Sequence, residues 1–79
     1  MELIKIDLKN IRCPEAFITI RKLIITHIKG NPNCALYLIT SEPSSIRDVP
    51  MYCNSENYMI DKSEIIDGRY HFLIMNSNN

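Results

Sequence analysis

The feature that most constrains the fold is a change of period at Arg12-Cys13-Pro14-Glu15. Upstream, from Leu3 to Leu8, apolar and polar residues alternate, with Ile4, Ile6 and Leu8 on one side and Lys5 and Asp7 on the other. That spacing predicts a strand with one buried face. Downstream, from Pro14 to Lys29, the polar residues Glu15, Thr19, Lys22, Thr26 and Lys29 recur at intervals of four and three. They draw one solvent stripe along a helix. Opposite lie Phe17, Ile20, Leu23, Ile24 and Ile28, expected to cover a sheet. Ile18 and Ile25 fall beside the stripe, and His27 falls on the apolar side as a packing residue. Lys9-Asn10-Ile11-Arg12 is the short connection that delivers Cys13 to the helix.

Local chemistry at the junction is specific. Proline is favoured at the first helical position, where a missing N–H costs nothing. Pro14 is therefore expected there, with Cys13 as the N-cap. The unpaired backbone donors of a first turn and the positive helix end favour thiolate over thiol. The thiolate is the nucleophile, so Cys13 is the candidate reactive group.

The remainder of the chain supplies the other elements. Gly30 ends the helix, and Asn31-Pro32-Asn33 is turn chemistry. Cys34 to Thr40 is apolar on both faces, as a central strand should be, which makes Cys34 a packing residue. A second helix is expected to start between Ser41 and Ser44, with Ile46, Val49 and Cys53 in the core and Pro50 disturbing its ladder. Tyr58 to Ile66 is a strand of mixed polarity, and Asp67-Gly68 signals a two-residue hairpin. Arg69 to Met75 returns with Tyr70, Phe72 and Ile74 on one face, and Ser77 and the terminal asparagines are expected to fray. The order βαβαββ predicts a two-layer α/β sandwich, with two helices on one face of a mixed four-stranded sheet. The whole chain, 1–79, reads as a single domain with its core between about residues 3 and 75.

Composition narrows the chemistry. Nine basic and nine acidic residues cancel, so no net field draws the chain to nucleic acid or to an anionic membrane. The apolar runs are too short to span a bilayer, and the N-terminus lacks a secretory pattern. Three cysteines without a leader point to free thiols in a reducing cytoplasm. Cys13, Cys34, Cys53, His27 and His71 lack paired ligand spacing, so no metal is expected. There is no glycine-rich phosphate loop, no Ser-His-Asp signature and no internal repeat.

With these motifs in view, the chain resembles the TusA (SirA-like) family of small sulfur carriers. Cys13-Pro14-Glu15 matches the first three positions of that family's Cys-Pro-x-Pro motif. Glu42-Pro43 followed by Arg47-Asp48-Val49-Pro50 matches its acid–proline step and Arg-Asp-Ile-Pro stretch. Arg21-Lys22 and Cys53 also fall at family-like positions, and the resemblance runs from about Leu3 to Met75. It departs at Ala16, where the family has its second proline, and at Asn10, where a glycine is common. Read as the third helical residue, Ala16 has an N–H without a helical partner, so alanine should leave the helix intact and restore a donor near Cys13.

The resemblance implies a sulfurtransferase. Cys13 would accept a persulfide sulfur from a cysteine desulfurase and pass it to a downstream acceptor protein, toward 2-thiouridine in transfer RNA. Arg12, Pro14, Glu15 and Ala16 would support it at the helix start, and Arg21, Glu42 and Arg47 would dock partner proteins. No cofactor, direct nucleic-acid contact or membrane is implied, and the free protein is expected to be a monomer. Two alternatives stay open. One is a non-catalytic redox-sensing or regulatory adaptor on the same fold; the other is sulfur or selenium delivery to a different pathway. Cys53 is read as core, with a redox role as the alternative.

Overall fold

The computed structural model describes residues 2–8, 11–12 and 14–76. Expectations for Lys9, Asn10, Cys13 and the last three residues lie outside the described residues. The elements in chain order are β1 (Glu2–Leu8), α1 (Glu15–His27), β2 (Cys34–Thr40), α2 (Ser45–Ser55), β3 (Tyr58–Ile66) and β4 (Arg69–Asn76). They form one mixed sheet in the order β1-β2-β4-β3. The helical crossover makes β1 parallel to β2, and β4 runs antiparallel to both its neighbours. The two-layer α/β architecture is as expected, with β2 inside the sheet and six of its seven residues buried.

One face of the sheet carries the core. Leu8 from β1, Leu36 and Leu38 from β2, and Phe72 and Ile74 from β4 pack against Ile20, Ile24 and Ile28 of the first helical segment and Val49 and Cys53 of α2. Burial of this kind is the main favourable term in folding. Ile18 and Ile25 are exposed, as the helical wheel placed them.

Two particulars differ from the sequence reading. Ile46 is exposed, and Ser45 is buried in its place with Val49 and Cys53. The row of α2 that packs inward runs 45, 49, 53 and leaves residue 46 a hundred degrees from residue 45. Phe17 is only half-buried; its ring meets Tyr52 edge-on at 5.9 Å instead of lying on the sheet. As expected, Pro50 lies within α2 and deprives it of one ladder donor, and the helix runs on to Ser55.

The Asp67-Gly68 hairpin forms with φ of 52° and 74°, the doubly left-handed pair a two-residue connection requires. The other sheet face has no helix among the described residues and is held by cross-strand pairs. The Tyr37 hydroxyl and His71 Nδ1 lie 2.9 Å apart, Lys5 sits 5.6 Å from the Tyr37 ring, and Arg69 reaches across β2 to pair with Asp7. A bulge between Ile60 and Lys62 bends the outer strand β3.

Candidate functional site

α1 starts at Glu15, one residue later than the sequence suggested. Pro14 is the cap position, with φ −87° and ψ −8°. Its carbonyl accepts the Ile18 N–H at 3.2 Å. The expectation that proline is the first helical residue with cysteine as cap is thus corrected by one position. A turn precedes the helix, and it is closed by the Ala16 N–H donating to the Arg12 carbonyl at 2.8 Å. The Ala16 amide therefore has a partner, contrary to the sequence reading, because helix-like bonding begins at the carbonyl of residue 12. Ala16 itself is fully buried, while Arg12, Pro14 and Glu15 are exposed.

The other two thiols are withdrawn from chemistry. Cys34 and Cys53 are each 1% exposed and neither is in a disulfide. Burial pushes the Cys53 thiol up to about 12. It also raises Cys34, with a smaller contribution from the Glu2 carboxylate. A thiol that is buried and fully protonated at neutral pH is a packing residue. The redox alternative for Cys53 finds no support in that position. No group of three or more His, Cys, Asp or Glu side chains among the described residues could hold a metal ion.

The three residues expected to dock partners separate into two groups. Arg21 is exposed on α1, its guanidinium 5.9 Å from the Phe17 ring, and Arg47 projects from the first turn of α2 with its Nε 3.3 Å from Asp48. Phe17 and Asp48 both line a cleft of about 390 Å³ between the helices, completed by Met51, Tyr52 and Ser55. Arg21 and Arg47 thus border one concave surface. Glu42 is turned elsewhere: its carboxylate accepts both the N–H and the hydroxyl of Ser44, at 3.1 and 3.0 Å. It orders the approach to α2. The aromatic floor of the cleft was not picked out from sequence. The spacing of Phe17 in the first turn after Cys13-Pro14 was its signal, masked by a helical wheel that placed it in the core.

Fold and motif together define a small two-layer α/β module whose sequence sets a Cys-Pro step immediately before its first helix. The family model described as Sulfurtransferase TusA matches residues 4–75. The sulfur carrier protein TusA of Buchnera aphidicola subsp. Baizongia pistaciae (strain Bp) is 33% identical over 73 residues, covering 92% of this chain and 89% of that protein. The chain belongs to the TusA family of sulfur carriers.

Proposed function

We propose that Cys13 carries the sulfur. A carrier needs a thiol its partners can reach, and the sequence contains three cysteines, of which Cys34 and Cys53 are sealed in the core. That elimination, within a chain of this family, is the observation that carries the reading.

The Cys13 thiolate attacks the outer sulfur of a persulfide on the donor enzyme. A new S–S bond forms to Cys13, the donor's S–S bond breaks, and the donor cysteine leaves as thiolate. The exchange is redox-neutral, and its rate follows thiolate fraction, leaving-group acidity and access. Repetition with an acceptor thiol hands the sulfur on. Arg12 and the helix end favour the anionic sulfur, whereas Glu15 opposes it slightly while favouring the helix. The donor is a cysteine desulfurase docked beside Arg21 and Arg47. The acceptor is another protein on the way to tRNA 2-thiouridine, since a chain with net charge +0 has no field to grip RNA itself. The setting is the reducing cytoplasm.

The test is an intact mass after incubation with a cysteine desulfurase and free cysteine. The wild-type chain is expected to gain one sulfur atom that Cys13→Ser cannot take up, with folding unchanged. Full loading of Cys13→Ser refutes the assignment. Loss of thiolated nucleosides in a deletion strain then identifies the acceptor branch, and their persistence removes the tRNA route.

A further inference from the structure

We propose that the outer edge of β1 is a self-association surface. A second copy of this chain pairs with it antiparallel, about a two-fold axis at Ile6, and joins two sheets into one of eight strands. This departs from the monomer that the family resemblance implies, and it is independent of the sulfur chemistry.

β1 and β3 are the two outer strands of the sheet. β3 is blunted as edges usually are, with a bulge between Ile60 and Lys62 and the charged run Asp61-Lys62-Ser63-Glu64. β1 has no bulge, and its seven residues pair in unbroken register with β2. The Glu2 N–H donates to the Asn33 carbonyl at 2.7 Å, which sets the parity of that ladder. Glu2, Ile4, Ile6 and Leu8 therefore turn their backbone groups to β2, while Leu3, Lys5 and Asp7 turn theirs outward. Among the described residues no backbone partner meets them there. Such a row is a template for another strand. The apolar layer beside it is also unfinished. Ile4 and Ile6 of β1 and Leu23 of α1 are only half-buried at the margin of the core. Phe17 faces Tyr52 of α2, and the helical wheel puts Leu23 on the opposite flank of α1, the β1 side.

Charge selects the occupant and the register. An antiparallel partner must set outward-turned residues against outward-turned residues, which leaves two-fold registers centred on residues 4 to 7. Centring on Lys5 or on Asp7 opposes a charge to itself, and centring on Ile4 sets Lys5 against Leu3. Centring on Ile6 sets Lys5 of each copy against Asp7 of the other, two attractive pairs on the open face. On the helix face the same register sets Ile6 against Ile6 and Ile4 against Leu8, which extends the apolar layer across the axis. The Asp7 carboxylate already accepts from Arg69, and it has capacity for a second donor. Lys5 is exposed, its ammonium 5.6 Å from the Tyr37 ring. The cleft bordered by Arg21 lies on the other flank of α1, so pairing through β1 leaves it open.

The experiment is sedimentation of the whole chain at low salt from about 10 μM to about 1 mM, with thermal melts beside it. The wild-type chain is expected to pass from monomer to dimer across that range. Asp7→Lys and Lys5→Asp, each alone, are expected to raise the dissociation constant about tenfold or more, since two like-charge pairs replace two attractive ones. An equimolar mixture of the two variants restores both attractive pairs and is expected to form a heterodimer. A wild-type chain that stays monomeric to about 1 mM overturns the proposal and leaves the edge to a strand of another protein. Dimerisation that ignores both charge reversals, or a mixture that stays monomeric, overturns it as well. Should a variant not fold, amide exchange on the unsubstituted chain decides. The Lys5 and Asp7 amides are expected to slow at least about tenfold from dilute to concentrated solution, while those of Ile4 and Ile6 do not change. Concentration-independent exchange at Lys5 and Asp7 overturns the proposal.

Discussion

Cys53 offers a quantitative check on the elimination that singles out Cys13. Its thiol is held up to about 12 by burial among the core side chains, against about 8.5 for free cysteine. At pH 8 about one molecule in ten thousand would carry the thiolate at that site, against about one in four for a free thiol. Thiolate fraction alone thus slows alkylation by about two thousandfold, and the 1% exposure of the residue slows it further. The assay is timed iodoacetamide labelling of the folded chain, quenched and mapped by peptide mass, with glutathione as reference. Cys53 and Cys34 are expected to remain unlabelled until urea unfolds the chain, so that one equivalent of native label reports Cys13. Native labelling of Cys53 within about tenfold of glutathione would refute both the burial argument and the elimination built on it.

Four further outcomes are expected. Stability should fall above neutral pH: an acid whose folded pKa is raised gives stability that is complete below its unfolded pKa and lost as pH climbs toward the folded one. For Cys53 that window runs from about 8.5 to about 12, and about 2 kcal/mol should be gone by pH 10 in urea titrations, with Cys53→Ala flattening the dependence. Tyr52 and Tyr58, also raised chiefly by burial, should steepen the decline above pH 10. Phe72→Ala empties the centre of the core and should cost about 3–5 kcal/mol by urea denaturation; a loss below about 1 kcal/mol contradicts the packing described. Gly68→Ala meets no atom within 4 Å, so its cost is the φ of 74° alone, about 1 kcal/mol, and a neutral result would mean the hairpin is built differently. Arg47→Ala removes a side chain that is 73% exposed and should leave the melting temperature nearly unchanged while weakening desulfurase binding in a pull-down or titration; a large drop in melting temperature speaks against a docking role.

The sheet was legible because its strands announce themselves in different ways. Residues 34–40 are apolar on both faces, which only an interior strand tolerates, and Asp67-Gly68 has a backbone preference that fits one connection. The start of α1 was misplaced by one residue because Pro14 suits both the cap and the first helical position. Ile46 was misassigned because a three–four spacing fits 46, 49, 53 as well as the inward row fits 45, 49, 53, and only the rotation of the packed helix decides. At the candidate site the motif gave the residues but not their bonding. That the Arg12 carbonyl engages Ala16, and that the Glu42 carboxylate engages Ser44, depend on backbone paths that side-chain periodicity does not encode. The cleft between the helices needed both helices in place before Phe17 and Tyr52 could be seen to face one another.

The strand order has a bearing on how the chain comes to be folded at all. β4, the last of the four to be synthesised, is inserted between β2 and β3, so β1 and β2 can pair without it but β3 cannot join them. A nascent chain that has emerged as far as β3 possesses two helices and three strands but lacks Phe72 and Ile74, and its sheet is split down the middle. Assembly of the sheet is therefore deferred until β4 has emerged and should occur in one cooperative step.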